Sequence, residues 1–118
     1  MYGLPEDFDA SVFLGRELSL VSFTINTVYL CFDEVHSITI EAQFLYQPSA
    51  EEKEIIQTIP GTYTKILSLI GKQVIQAESQ KGGFLRLSFE GGGSVTCLDD
   101  SKQYESYHLQ VGAKQIDV

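Results

Sequence analysis

Tryptophan is absent from the sequence, methionine occurs once, and cysteine and histidine occur only twice each among 118 residues. No run of about 18 apolar residues is present, so no transmembrane helix is expected. Phosphate groups are neutralised by clustered Lys and Arg, and here the few basic residues stand singly. Their scarcity argues against nucleic acid and against an anionic membrane surface as partners. The basic residues are Arg16, Lys53, Lys65, Lys72, Lys81, Arg86, Lys102 and Lys114.

The cysteines and histidines do not have the spacing of a metal site. Cys31 and Cys97 form no Cys-x-x-Cys pair, and neither His36 nor His108 completes a zinc pattern with them. We therefore expect no metal and no cofactor. Residues 1–9 are acidic and lack the basic and apolar regions of a secretory signal, which predicts a cytoplasmic protein without a disulfide.

Acidic residues outnumber basic ones, 16 against 8, and give a net charge of −8 at pH 7. Such an excess keeps a small protein soluble, and it also attracts a partner with a basic surface. The length and the 43% hydrophobic content are those of a single domain, 1–118, with a core of its own.

Two segments of the chain, about 13–44 and about 69–100, are similar to each other. "LGREL" at 14–18 matches "IGKQV" at 70–74, at an offset of 56 residues. After one inserted residue the match continues with "VYLCF" and "SITI" in the first segment against "LRLSF" and "SVTC" in the second. Identities are few, but chemical type and alternation agree, which indicates an internal repeat.

Within each segment apolar and polar residues alternate with a period of two, as in a half-buried strand. Turn residues at Asp33–Glu34 and at Gly91–Gly93 separate the strands. The pattern predicts a mainly β (α+β) fold: two pseudo-symmetric antiparallel β-meanders sharing one barrel- or sandwich-like core, with one or two short helices. The predicted core consists of Leu18, Val28, Leu30, Phe32, Ile38, Ile40, Val74, Leu85, Leu87, Phe89, Val95 and Cys97.

The short helices are expected just before each repeat. The apolar spacing predicts one near Tyr63–Ile70, with Thr62 as its N-cap and Gly71 after its last turn. By analogy between the repeats, a second helix is expected near Asp9–Leu14.

The stretch between the repeats has two interpretations. Ser49 followed by Glu52 is the pattern of a capping box and favours a helix over Ala50–Gln57. The apolar residues there form a poor helical stripe, which favours a hairpin of Ala42–Gln47 with Glu54–Ile59. We prefer the hairpin.

The segment "LDDSKQYESYHL", 98–109, concentrates the chemically interesting side chains. It leads into a C-terminal hairpin, about 104–118, that turns at Gly112–Ala113. One interpretation is a turn and strand anchored by polar residues. The other is a protein-binding surface, because acidic groups steer a basic partner and a tyrosine can anchor it. The candidate residues are Asp99, Asp100, Tyr104, Glu105 and Tyr107.

Catalysis is the weakest interpretation of this segment. Ser106 and His108 fall on one strand face, and Glu105 falls on the other. Neither a nucleophile elbow nor an oxyanion loop accompanies them. We therefore expect a binding module, with a structural homo-oligomer (a homodimer, for example) and a small hydrolase-type enzyme as alternatives.

Three short elements carry a resemblance to a known group of proteins. They are Leu14-Gly15-Arg16, Leu69-Ile70-Gly71-Lys72 and Tyr104-Glu105-Ser106-Tyr107. Together they resemble a family of small bacterial two-repeat β-rich domains of uncharacterised function. The resemblance covers nearly the whole chain and implies no chemistry. Some such acidic domains act as immunity proteins beside bacterial toxins, so it implies a basic protein partner.

Overall fold

A computed structural model describes residues 4–5, 8–24, 27–41, 44–49, 51–57, 64–80, 84–98 and 107–118. These residues form two short 3-10 helices, η1 and η2, and ten β-strands. In chain order they are η1 Ala10–Phe13, β1 Leu20–Phe23, β2 Val28–Asp33, β3 His36–Ile40, β4 Phe44–Gln47, β5 Ile55–Gln57, η2 Thr64–Leu69, β6 Val74–Gln80, β7 Phe84–Phe89, β8 Ser94–Cys97, β9 Tyr107–Val111 and β10 Lys114–Asp117.

The strands form two antiparallel sheets that pack as a sandwich. Sheet 1 has the order β1-β2-β3-β9-β10, and sheet 2 has the order β5-β4-β8-β7-β6. Each predicted meander, β1–β3 or β6–β8, therefore lies within one sheet. The hairpin that follows each meander pairs with the other one: β4 with β8, and β9 with β3. The mainly β fold with two pseudo-symmetric meanders is confirmed, as a sandwich and not as a barrel.

Backbone hydrogen bonds join the two halves where each meander begins. The Gly15 amide donates to the Val74 carbonyl at 2.8 Å, and the Gly71 amide donates to the Leu18 carbonyl at 2.7 Å. These four residues occupy matching positions of the two sequence segments, so the two bonds are equivalent. Gly15 and Gly71 adopt φ of +76° and +91°, a backbone conformation that glycine adopts without strain.

The core lies between the sheets and contains all twelve residues that the alternation predicts. Aromatic rings contribute much of its volume. The Phe32 and Phe89 rings stack with centroids 6.5 Å apart, and Phe13 meets Phe32 at 5.4 Å. Because Phe32 and Phe89 are equivalent residues from opposite sheets, their contact ties the two meanders into one core.

The predicted helices are present as short 3-10 helices of four and six residues. Asp9 caps the first one by accepting a hydrogen bond from the Ser11 amide at 3.0 Å. The predicted N-cap of the second, Thr62, lies outside the described residues. Among the described residues, neither helical turn has the length and apolar content that crossing a membrane requires.

The stretch between the repeats forms the hairpin and not the helix. Phe44 pairs with Gln57, and Tyr46 pairs with Ile55. Ser49 and Glu52 close only a single turn, in which the Glu52 amide donates to the Ser49 carbonyl at 3.2 Å. A capping-box pattern therefore marks a tight turn here.

Candidate functional site

The predicted binding residues lie at the connection between β8 and β9. Asp99, Asp100, Tyr104 and Glu105 fall outside the described residues. Tyr107 is described and has no exposed surface, because its position in β9 points the ring into the core. Tyr107 is therefore a core residue and not part of the predicted surface. Of the two candidate aromatics, only Tyr104 stays in the prediction.

The two connections that cross between the sheets differ in length. Residues 41–43 carry the chain from β3 to β4, whereas residues 98–106 carry it from β8 to β9. Both start and end at the same edge of the sandwich, because Ile40 pairs with Tyr107 and Phe44 pairs with Cys97. Counted between the strand bounds, the second connection is six residues longer than the first.

Beside this connection, the outer face of sheet 1 carries a polar row across four strands. The strand registers place Tyr29 opposite Thr39, Thr39 opposite His108, and His108 opposite Asp117. The next outward-facing row contains Ser37, Gln110 and Gln115. Together they line an open depression of about 190 Å³, which we call the sheet 1 depression; its lining is Tyr29, Ser37, Thr39, His108, Leu109, Gln110 and Gln115.

His108 is held between two carboxylates. Its Nδ1 lies 2.7 Å from Oδ1 of Asp117, and its Nε2 lies 3.4 Å from Oε2 of Glu41. Partial burial lowers the pKa of His108, but the hydrogen bonds to Asp117 and Glu41 outweigh it and raise the pKa above its ordinary value. A carboxylate only accepts hydrogen bonds, so this arrangement suits a histidine that is protonated on both nitrogens.

This geometry does not resemble a nucleophilic active site. A general base needs a ring nitrogen directed at a serine or cysteine, with the other nitrogen oriented by a carboxylate. Asp117 has the orienting position, but Glu41 and not a hydroxyl group faces the second nitrogen. Ser106 lies outside the described residues.

The corresponding face of sheet 2 has different chemistry. Arg86 takes the place of Tyr29, and Leu45 takes the place of His108. The Arg86 guanidinium lies 3.3 Å from Glu54 and donates to the side chain of Gln47 at 2.5 Å. The two outer faces therefore share Thr39 and Thr96 at equivalent positions but differ beside them, where Arg86 and Leu45 replace Tyr29 and His108.

A second histidine cluster stabilises the turn between β2 and β3. Asp33 accepts hydrogen bonds from His36, from the Val35 amide and from Arg16, each at 2.9 Å. The hydrogen bond from His36 and then that from Val35 lower the pKa of Asp33. Both carboxylate oxygens are occupied, and His36 packs edge-on against Phe13. The cluster holds a tight turn against the core.

Both cysteines are free thiols in the structure. Cys31 and Cys97 are not bonded to each other. Burial raises the pKa of the Cys97 thiol to about 12, so it packs as a small apolar residue. Among the described residues, no three His, Cys, Asp or Glu side chains are grouped as metal ligands would be.

The sequence contains a local signal for the His108–Asp117 pair. A two-residue turn at Gly112–Ala113 sets the register of the last hairpin, and counting outward from it places His108 opposite Asp117. The contribution of Glu41 could not be found this way, because it depends on the pairing of β3 with β9.

A family model described as a family of unknown function (DUF6188) matches residues 11–116. No curated protein and no solved structure matches the chain.

Proposed function

This chain belongs to the family of unknown function DUF6188, and from that premise we propose that it is a non-enzymatic protein-interaction module. Its partner is a protein with a basic surface. The binding surface is the connection 98–106, with Asp99, Asp100, Tyr104 and Glu105 as the contact residues.

The difference between the two crossings carries this proposal. One half of the molecule crosses between the sheets in three residues, and the other uses nine. Extra residues in a surface connection cost little stability and are a common place for binding residues. Here the surplus holds three carboxylates and a tyrosine. Electrostatic steering of a basic partner and aromatic anchoring are the roles that these groups suit best.

The surroundings of the connection support the same partner chemistry. Glu41 follows β3 at this edge, and Asp117 lies on β10 beside His108. The net charge of −8 extends the negative field over the molecule. The resemblance to immunity-type domains agrees with these features, so we include in the proposal a basic bacterial toxin as the partner and the cytoplasm as the place of binding.

We also propose that the two halves arose by duplication of one segment. The equivalent Gly15 and Gly71 hydrogen bonds and the exchanged hairpins support this origin. On this view the second crossing and the outer face of sheet 1 are where the copies diverged, which is where a binding function would develop.

Capture from a native cell lysate tests the proposal. The wild type is expected to retain a partner at low salt and to lose it as the salt rises through about 0.15 M, where the Debye length is roughly 8 Å. The double variant Asp99→Lys, Asp100→Lys should retain none. Glu51→Lys with Glu78→Lys makes the same charge change at exposed sites of sheet 2 and its loop and should bind like the wild type. The proposed surface is refuted if the amount of partner retained does not depend on salt, or if the Asp99→Lys, Asp100→Lys variant still retains the partner.

A structural homo-oligomer is the second candidate, because two edge strands of sheet 2 expose isoleucines. Ile56 on β5 is 61% exposed and Ile75 on β6 is 57% exposed. An open strand edge with apolar side chains can pair with a second copy. Light scattering on the purified protein distinguishes the two, since the interaction module is expected to be monomeric without its partner.

A further inference from the structure

We propose that the sheet 1 depression is a receptor pocket for one basic side chain of the protein partner. The inference rests on the proposed function and adds a second, separate contact point to it. The pocket is formed entirely by described residues and lies beside the connection 98–106.

A hydroxyl that opens into the depression is the first observation. Ser37 is only 9% exposed and lines the depression. Among the described residues, its side chain has no hydrogen-bond partner, and the same is true of the neighbouring Thr39 hydroxyl. The Ser37 oxygen is accessible from the depression, so it is placed to hydrogen-bond a group that enters it.

The size of the depression limits what can occupy it. At about 190 Å³ it is smaller than the roughly 300–1,000 Å³ of pockets that hold drug-sized ligands. It is also open on one side. A single side chain presented by a docked protein fits these dimensions.

The lining favours a cation that carries several hydrogen-bond donors. Ser37, Thr39 and Tyr29 contribute hydroxyl oxygens, and Gln110 and Gln115 contribute amide oxygens. The carboxylates of Asp117 and Glu41 lie on either side of His108. The hydrogen bonds that Asp117 accepts from His108 and from Gln115 lower the pKa of Asp117, which keeps it ionised. Guanidinium and ammonium groups are the donors that such acceptors bind most strongly.

The proton on His108 competes with this cation. The titratable and charged groups that face His108 among the described residues are Asp117 from β10, Glu41 after β3 and Tyr29 from β2. A protonated imidazole already neutralises one carboxylate, so a basic side chain binds more weakly to that form. Affinity should therefore rise with pH through the titration of His108.

The corresponding position of sheet 2 offers an internal comparison. There Arg86 lies over the sheet and contacts Glu54 and Gln47 within the same molecule. An arginine on this scaffold is thus seated by a carboxylate and an amide oxygen. Sheet 1 presents similar acceptors without an arginine of its own among its described outward residues.

The test is a titration of the isotope-labelled whole protein with N-acetyl-arginine methylamide, followed by the backbone amide signals in NMR. The neutral, nearly isosteric N-acetyl-citrulline methylamide is the control probe. The arginine probe is expected to shift Ser37, Thr39, His108 and Gln110 saturably, and binding should be about fivefold tighter near pH 8.5 than near pH 5.5. Equal shifts with both probes, or no saturable shift at these residues, overturns the inference.

Two variants locate the binding. Asp117→Asn and Ser37→Ala should each weaken the arginine probe several-fold. Glu78→Gln, on the edge strand of sheet 2, should not change it. The amide spectrum shows whether each variant is folded. If Asp117→Asn does not fold, the Ser37→Ala variant still decides the test. Unchanged affinity in a folded Ser37→Ala variant rejects the pocket.

The outcome is separable from that of the proposed function. One outcome is that the partner no longer binds the Asp99→Lys, Asp100→Lys variant but still binds the Ser37→Ala variant as tightly as the wild type. In that case the connection is a binding surface and the depression is not a pocket for the partner. If the arginine probe binds the pocket but the lysate partner binds the Asp99→Lys, Asp100→Lys variant as it binds the wild type, the proposed surface is refuted and the pocket is still supported.

Discussion

Glu17 and Gln73 pair with each other as an isolated antiparallel bridge. They occupy matching positions of the two similar segments, 56 residues apart in the sequence. On either side, the Leu18 amide donates to the Lys72 carbonyl and the Val74 amide donates to the Arg16 carbonyl, both at 2.9 Å. The two halves of the chain are thus joined at one symmetric contact in addition to their shared core.

The glycines beside this contact should respond alike to substitution. Gly15→Ala and Gly71→Ala meet no atom within 4 Å, so the penalty arises from the positive φ alone. Each is expected to lower the free energy of unfolding by about 1–2 kcal/mol in urea titrations. Asn tolerates this backbone conformation better, so the Asn variants should lose less. A large difference between the two sites would contradict their equivalence.

Removal of the Phe89 ring tests the shared core. Phe89 is fully buried and stacks on Phe32 of the other sheet. Phe89→Ala should lower the unfolding free energy by about 3–5 kcal/mol, because it leaves a cavity between the meanders. Ile75→Ala, on an exposed position of β6, should change it by less than about 0.5 kcal/mol. Similar effects of the two variants would mean that the register is wrong.

Thr96 should gain stability when its hydroxyl is removed. Its Oγ1 is buried and has no hydrogen-bond partner among the described residues. Thr96→Val keeps the shape and removes the unsatisfied group, so the unfolding free energy is expected to rise by about 1 kcal/mol. Thr39→Val, at the equivalent position of sheet 1, faces the open depression and should give no such gain. A loss of stability in Thr96→Val would show that the hydroxyl has a partner.

The pH dependence of His108 follows from its carboxylates. Because the folded state raises the pKa of His108 above 6.5, its stabilising effect is present below that pH and is lost as the pH rises through the folded pKa. Asp117 has a lowered pKa, so its contribution is present above pH 3.8 and is lost as the pH falls through the folded pKa. NMR titration of the His108 ring should show the raised pKa, and Asp117→Asn should lower it. An unchanged titration in that variant would contradict the pairing.

The local pattern predicted the core well because a strand of period two determines its buried face without reference to its neighbours. Val28, Leu30 and Phe32 follow this rule, and so do their counterparts in the second meander. The pattern could not predict which strands meet. Ile38 pairs with Leu109, far along the chain, and no local signal encodes the exchange of hairpins.

The candidate site was less predictable for the same reason. The sequence offers Tyr107 as a tyrosine that could anchor a partner, yet in β9 it lies beside Ile40 and faces the core. Glu41 reaches His108 only through that long-range pairing. In the sequence Ser37 and Thr39 are ordinary strand residues, and only the register across β2, β3 and β9 brings them to one depression.

The central claim is that an acidic connection on a β-sandwich binds a basic protein, and the salt dependence of that affinity tests it most directly. The dissociation constant of the captured partner should rise about tenfold or more between roughly 0.05 M and 0.3 M salt for the wild type. The Asp99→Lys, Asp100→Lys protein should bind more weakly at low salt, and its affinity should depend less on salt. If the two proteins have the same affinity and the same salt dependence, or if the wild type retains no protein at low salt, the account is contradicted.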